Sequence, residues 1–477
     1  MGEITRDEFF VEYLKALQRG NAAIFAGAGL SVGSGHLDWK GLLAPLATRI
    51  SLELEKETDL VQVAQMISAH HDFELRQAIV EEFNTPRVPG EVHGCLARLP
   101  IQTYWTTNYD SLIEQALRQE GKRPMVKASE ESLSYHANPD GVAVFKMHGS
   151  DLDPTHTVIT KDDYEEYAKS HGRFLAALNA DLVSKRFLFL GFSFSDPNID
   201  FVLGQLRAAG KNPNMRHFAV QKRVPTTEPD YEYKRTRQQL FINYLERYGI
   251  KTVLVEDYAE IDEIIEELEH RYYRQRIFVS GACVENEEFV GKLAFNIGRR
   301  IIHEGYTIVS GFGLTVGGQV IHGAVAECFK QNESEPGKIE ISKRVNLWPF
   351  PQEVFASESD RRSFYSNYRR QIMKGVGFVI YLAGNKHQDG VLMESDGMMD
   401  EFEIGVELGA YPIAVGATGW AAKRIADAVL RDPDRYCLAG VPVQLLMDLS
   451  DESADEAALT EATIKLIKYL TPISRRR

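Results

Sequence analysis

Ala22-Ala23-Ile24-Phe25-Ala26-Gly27-Ala28-Gly29-Leu30-Ser31 is the stretch whose reading decides the fold. An uncharged apolar run passes straight into two glycines one residue apart, followed by a serine. Short apolar runs without polar alternation mark buried parallel strands. A glycine turn at the end of such a strand is where open α/β sheets receive nucleotides. Glycine lacks Cβ, so backbone N–H groups there can approach a phosphate closely. The plainer alternative is a strand and a tight turn with no ligand, and the glycine pair alone leaves both readings open.

Working outward, residues 6–19 place Phe9, Phe10, Tyr13, Leu14 and Leu17 at helical spacing ahead of Gly20, which predicts an amphipathic helix. Polar loop material surrounds Gly33-Ser34-Gly35-His36, and 39–50 and 60–70 read as helices. Buried strands are expected at 101–106, 142–147 and 187–192, with weaker ones at 217–220 and 251–255, and a helix over 109–119. Residues 258–275 are rich in Glu and Arg, with Ile261, Ile264, Ile265 and Leu268 at helical spacing, and are read as a helical connector. Beyond them the pattern restarts. Ile277-Phe278-Val279 enters Ser280-Gly281-Ala282, a helix over 287–303 closes at Gly305, and 306–309 enters Ser310-Gly311-Phe312-Gly313-Leu314. Strands at 345–348, 378–382 and 412–415 alternate with helices near 316–330, 360–374 and 399–409. This alternation predicts an α/β chain of two tandem Rossmann-like domains with parallel sheets, 1–257 and 276–477.

Composition narrows the function classes. A chain of 477 residues exceeds one ordinary core, which fits two domains. Hydrophobic content of 44% and charged content of 26% are those of a globular protein. A formal charge of −14 argues against nucleic-acid binding by phosphate neutralisation, and Arg475-Arg476-Arg477 reads as a solvated tail. No run approaches the roughly 20 apolar residues of a membrane span. The opening Met1-Gly2-Glu3-Ile4-Thr5-Arg6-Asp7-Glu8 lacks the basic-then-apolar pattern of a secretory leader. Cys95, Cys283, Cys328 and Cys437 form no close pair, so neither a disulfide nor a cysteine zinc site is expected, and the cytoplasm is the expected compartment.

Polar residues just beyond the carboxyl ends of the strands are the candidates for chemistry. Four exits carry Gly27-Ala28-Gly29-Leu30-Ser31, Thr107-Asn108-Tyr109-Asp110, His148-Gly149 and Gly191-Phe192-Ser193-Phe194-Ser195-Asp196. Each has a structural alternative. Asn108 and Asp110 could cap the following helix, Ser195 or Asp196 could cap one before Pro197, and a histidine at a strand end is more often structural than catalytic.

Taken together, the Gly27–Ser31 turn, Thr107-Asn108-Tyr109-Asp110 and Lys146-Met147-His148-Gly149 resemble the sirtuin family. Sirtuins bind NAD and cleave its nicotinamide–ribose bond, so the resemblance implies NAD+ as substrate. It implies Asn108 orienting a water or the ribose, and His148 as general base or ribose-hydroxyl anchor. Asp110 would line the nicotinamide or ribose side, Ala28, Gly29 and Ser31 would cradle the pyrophosphate, and Ser193 would join them. Cleavage develops positive charge on the ribose, which calls for positioned carboxylate, carbonyl and amide groups. Sirtuin deacylases carry a zinc module with two close cysteine pairs, which this chain lacks. Water then becomes the expected acceptor, and an NAD hydrolase without metal the expected activity. A protein deacylase and a non-catalytic nucleotide sensor are the alternatives.

The glycines at 281 and 310–318 again stand between a strand and a helix, and this half resembles the SLOG family. Its hydrolytic relatives use a glycine pair followed by Thr and Glu. The matching region, Asp396-Gly397-Met398-Met399-Asp400-Glu401-Phe402, has no such pair, so a sensor is expected. The order of the halves is similar to the NADase effector family of Thoeris anti-phage defence. That resemblance implies a SLOG domain binding a cyclic ADP-ribose isomer made by a TIR-domain partner protein, NAD depletion switched on by it, and a homotetramer. It implies Gly281, Gly311, Arg369, Lys386 and Glu401 as the signal-binding residues. Arginine offers phosphate a planar fork and lysine a point charge, while Glu401 could accept from ribose hydroxyls. The alternative for Arg369 and Arg370 is a solvated helix face.

Overall fold

Thr5 and Glu8 close a reciprocal capping box at the start of helix Arg6–Arg19, and Gly20 ends it in the left-handed region (φ 69°). The apolar stripe read from the sequence is buried, and the Tyr13 hydroxyl donates to the Ala23 carbonyl at 2.9 Å, docking the helix on the first strand. A computed structural model of the chain describes residues 2–134, 141–150, 157–194, 216–313, 315–334, 340–351, 357–388, 390–437 and 440–471, with residues 199, 203, 204, 337 and 355. Ser195, Asp196, Leu314 and Arg475-Arg476-Arg477, singled out above, lie outside these. The chain divides into two compact units, Met1–Glu269 and His270–Arg477.

In the first unit the strands are β1 (Ala22–Ala26), β2 (Thr103–Thr106), β3 (Arg123–Lys127), β4 (Gly141–Lys146), β5 (Arg186–Leu190), β6 (His217–Lys222) and β7 (Ile250–Val255). They form one parallel sheet in the order β3-β4-β2-β1-β5-β6-β7. From β1 the chain builds outward through β2 to β3 and β4, then returns to the other side of β1 for β5. That reversal puts the switch point, and the crevice a ligand would use, at the carboxyl ends of β1 and its neighbours. β1 is buried at every position, as its uncharged sequence requires. β3 escaped the sequence reading because it is a sheet edge, largely exposed, with Pro124 and two basic residues. The helix read over 60–70 continues through a non-helical His71 (φ −142°, ψ 45°) to Asn84.

β6 carries a titratable core group. His217 is 3% exposed, and its Nδ1 accepts the Phe187 N–H at 3.2 Å, which requires an unprotonated Nδ1. Burial, helped by the charge of Arg186, holds this imidazole down at about 4. The unfolded chain binds the proton near 6.5, so this contribution is complete above that pH and is lost as pH falls toward 4. The drop corresponds to about 3 kcal/mol. Denaturant titrations at pH 7 and pH 4.5 should show that loss. His217→Asn, whose Oδ1 can take the place of Nδ1, should flatten it, and an unchanged slope in the variant removes His217 as its source.

The region read as a connector is the helix Glu260–Tyr273, and the division between units falls inside it. Arg6 pairs with Glu260, and Arg98 donates to Glu269 at 2.5 and 2.9 Å, so the part of this helix that belongs to the first unit is fastened at both its ends.

In the second unit β8 (Arg276–Ala282), β9 (Thr307–Ser310), β10 (Val345–Leu347), β11 (Phe378–Ala383) and β14 (Tyr411–Val415) form a parallel sheet in the order β10-β9-β8-β11-β14. This is the strand order of a Rossmann-like unit, with its switch point between β8 and β11. A separate antiparallel hairpin, β12 (Asn385–Gln388) and β13 (Val391–Glu394), leaves the end of β11. Its strands, Asn385–Gln388 and Val391–Glu394, are too short to be read from alternation. No helix among the described residues is long and apolar enough to cross a membrane. All four cysteines are buried thiols.

Candidate functional site

Strand register assembles the first site. Ala26 pairs with Thr106 and with Leu190, and Thr106 pairs with Lys146. Two residues beyond these rungs, Ala28, Asn108, His148 and Phe192 leave four adjacent strands at one level, with neighbouring strands about 4.8 Å apart.

The glycines of the opening stretch are used first against the protein itself. Gly27 N–H donates to the Leu190 carbonyl at 2.9 Å and Gly29 N–H to the Gly191 carbonyl at 3.0 Å. A Cβ on Gly27 would collide with the Gly191 carbonyl oxygen, and one on Gly29 would come 2.9 Å from the Gly191 Cα. Gly191 itself has φ 61°, where a side chain would be strained and would strike the Leu30 nitrogen. The turns after β1 and β5 therefore interlock through bare backbone. The Gly29 N–H is occupied, whereas the Ala28 N–H has no acceptor among the described residues.

Asn108 stands over this interlock. Its Nδ2 donates to the Gly27 carbonyl at 3.0 Å and to Ser31 Oγ at 2.9 Å, and its N–H donates to Thr106 Oγ1 at 2.9 Å. A carbonyl oxygen only accepts, so the amide orientation is fixed and Oδ1 points the other way, buried and without a hydrogen-bond partner among the described residues. Ser31 Oγ in turn donates to Asp110 Oδ2 at 2.7 Å. Asp110 Oδ1 accepts the Leu112 N–H at 3.0 Å, so the capping alternative holds for this residue alongside its place in the chain Asn108–Ser31–Asp110. Beneath them Lys146, 1% exposed, donates to the carbonyls of Tyr109 (2.8 Å) and Asp110 (2.5 Å) and pairs with Glu114 at 3.3 Å.

His148 is buried, with Tyr164 edge-on to its ring at 5.4 Å between centroids and Tyr167 at 6.3 Å. Its carbonyl accepts the Val158 N–H at 3.0 Å, and the Tyr167 hydroxyl donates to the Met147 carbonyl at 2.9 Å, so both sides of the residue are held. Ser193, at the exit of β5, is exposed. Residues that sequence reasoning missed come from helices flanking the crevice. His93 is buried, its imidazole pushed down by burial and drawn back up by the Asp110 charge. Glu82 Oε1 meets His36 Nδ1 at 3.1 Å and accepts the Leu37 N–H at 3.0 Å. Neither belongs to a strand exit, so no motif pointed to them.

The second unit gathers its candidates around a buried acid. Glu401, on helix Asp396–Glu407, accepts from Ser280 Oγ at 2.5 Å and from Arg369 Nε at 3.2 Å. Burial pushes its carboxyl up, opposed by Arg369 and Ser280. Arg369 also reaches Asp400 at 3.4 Å and lies over the rings of Phe350 (5.4 Å) and Tyr365 (5.9 Å). Phe350 covers Gly311, where a Cβ would sit 2.6 Å from its ring, and Gly281 follows Ser280 in β8. Lys386 pairs with Asp396 at 3.3 Å. The neighbouring Asn385, fully buried, accepts the Val284 N–H at 2.6 Å, and its Nδ2 has no partner among the described residues. The structure thus brings Gly281, Gly311, Arg369 and Glu401 into one cluster, with both cations already paired to acids.

Two family models match the chain: a SIR2-like domain over residues 102–253 and the Sir2- and TIR-associating SLOG family over residues 260–470. NAD(+) hydrolase ThsA of Bacillus cereus (strain MSX-D12) is 37% identical over 97% of this chain and 98% of its own. Proteins of the same name from Cytobacillus dafuensis and Acinetobacter baumannii (strain 532279) are each 37% identical over 89% of this chain, covering 88% and 90% of theirs.

Proposed function

We propose, from the premise that this chain belongs to the family of NAD(+) hydrolases named ThsA, that its first unit hydrolyses NAD+ to nicotinamide and ADP-ribose. The observation that carries the reading is the fixed amide of Asn108, which leaves, at the level of the strand exits, a buried Oδ1 with no partner among the described residues. A carbonyl dipole held there suits a ribose gaining positive charge or a water about to attack it, because it needs no reorganisation when charge develops. Water supplies the oxygen that bonds the ribose carbon, the glycosidic electron pair leaves with nicotinamide, and His148 takes the water proton or anchors a ribose hydroxyl. Ser31 and Asp110 hold Asn108 in place.

The second unit, in this reading, senses a cyclic ADP-ribose isomer made by a TIR-domain partner and switches on NAD+ depletion in anti-phage defence, in a cytoplasmic homotetramer. The support is chemical. Arg369, stacked on two aromatic rings, can turn its fork from Asp400 to a phosphate, and Lys386 can do so from Asp396. Activation requires that the signal bind the active arrangement more tightly than the resting one.

The test is nicotinamide release from NAD+ by the purified full chain, with and without a cyclic ADP-ribose isomer. Release that rises with the isomer is expected, and no release under either condition refutes the hydrolase. Arg369→Ala should shift the isomer concentration for half-activation upward by about tenfold or more, the loss of a charge-assisted contact, with the unstimulated rate retained. Unchanged dependence on the isomer removes Arg369 from the signal site.

A further inference from the structure

The hydrolysis proposed above leaves a charge unanswered. NAD+ brings an anionic pyrophosphate, yet the groups at the strand exits offer it little. Asp110 is an acid, the Gly29 N–H is committed to Gly191, and Lys146 is buried against Glu114 and two carbonyls. The Ala28 N–H is a single neutral donor.

We propose that Arg87 is the pyrophosphate-binding residue of this site. It stands in Thr85-Pro86-Arg87-Val88-Pro89-Gly90, the short segment between helices Leu60–Asn84 and Glu91–Arg98. The two prolines fix their own φ and restrict Thr85 and Val88 before them, so the segment is stiff. It is pinned at both ends to the loop that follows the glycine turn. Glu82, near the end of the first helix, holds His36 and the Leu37 N–H, and the Gly90 N–H donates to Ser34 Oγ at 3.1 Å. That loop hangs from Ser31, whose carbonyl accepts from the N–H groups of Ser34 (3.0 Å) and His36 (3.4 Å). Across it lies the Arg87 guanidinium. The position a Cβ would take on Gly35 is 3.6 Å from Nη1, 3.7 Å from Cζ and 3.8 Å from Nε.

The guanidinium is held but unused. Its Nε is buried, and no acceptor among the described residues takes any of its N–H groups. The chain has 68 acidic side chains against 54 Lys and Arg, so a carboxylate for it was easy to supply. A guanidinium is charged at every accessible pH, and partial burial without a partner is unfavourable. A stiff arm that keeps it so, one turn of chain from Ser31, is explained by an anion that arrives with the substrate. Its planar fork matches two phosphate oxygens.

The experiment compares NAD+ with nicotinamide riboside, which has the same scissile bond and no phosphate, in the full chain under the condition that gives turnover. Arg87→Ala should raise the KM for NAD+ by about ten- to a hundredfold, the loss of a charge-assisted contact, with kcat nearly unchanged. Cleavage of nicotinamide riboside should be unaffected, and Arg87→Lys should recover part of the NAD+ affinity. An unchanged KM for NAD+, or an equal loss on both substrates, overturns the assignment. Wild-type protein that releases no nicotinamide overturns the hydrolase reading and this residue's role with it, whereas normal turnover with an unaffected Arg87→Ala overturns only the latter.

Discussion

Asn108→Ala should lower nicotinamide release by at least about a hundredfold, the scale seen when one preorganised dipole is removed from a charge-developing site. The reasoning rests on the side of the amide that makes no bond. Nδ2 is anchored to Gly27 and Ser31, so what is held in place for the reaction is Oδ1. Asn108→Asp separates this from simple packing. A carboxylate has the same shape but no donor, and its second oxygen would face the Gly27 carbonyl, lone pair against lone pair. It should therefore fail comparably. Both variants should stay folded, since the loss of one such side-chain anchor costs about 1–3 kcal/mol. The measurement is initial-rate nicotinamide release alongside thermal unfolding. An Asn108→Ala protein that keeps more than a tenth of wild-type activity sinks the assignment.

Lys146→Met should produce the largest stability loss. Lys146 is 1% exposed and Glu114 3% exposed. Removing the ammonium leaves the Glu114 carboxylate buried without its counter-charge and strips a donor from the Tyr109 and Asp110 carbonyls. Breaking a buried pair on one side costs about 3–5 kcal/mol, a large part of the 5–15 kcal/mol that holds a typical domain together. Because those carbonyls belong to the loop that carries Asn108, activity should fall with stability. Glu114→Gln keeps a neutral acceptor beside the lysine and should cost less. The double variant Lys146→Met, Glu114→Leu should be less damaged than Lys146→Met alone, since no charge is then stranded. Denaturant titrations followed by tryptophan fluorescence decide it, and a Lys146→Met loss below about 1 kcal/mol contradicts the argument.

The architecture was legible because parallel strands buried on both faces are apolar through their middles, with charge only at their ends, and their exits carry the polar chemistry. β1, β2, β4, β5, β8 and β11 all announce themselves this way. β3 did not, because an edge strand faces water and admits proline and charge. At the site, Asn108, Ser31 and Asp110 were readable from their place after strands, and the structure joins them by hydrogen bonds. The role of the glycines was only half readable. Their spacing suggested room for a phosphate, whereas the partner that fills the room is Gly191, far away in sequence and invisible to any local pattern. Arg87, His93 and Glu82 were not legible, since residues on helices and the segments between them reach the crevice only through tertiary packing. In the second unit the charges of Arg369, Lys386 and Glu401 were visible, but not that each cation already has an acid beside it.

The interlock of Gly27, Gly29 and Gly191 has a kinematic consequence. A floor made of bare backbone in contact with bare backbone contains no rotamers, so it has no alternative packing to adopt and cannot serve as a hinge. It behaves as a fixed jaw. Any gating of the crevice must then be carried by side chains that can turn about their own bonds: the guanidinium of Arg87 on its stiff arm, or the tyrosine rings beside His148. A change in rate would come from those groups, since the floor has nowhere to go.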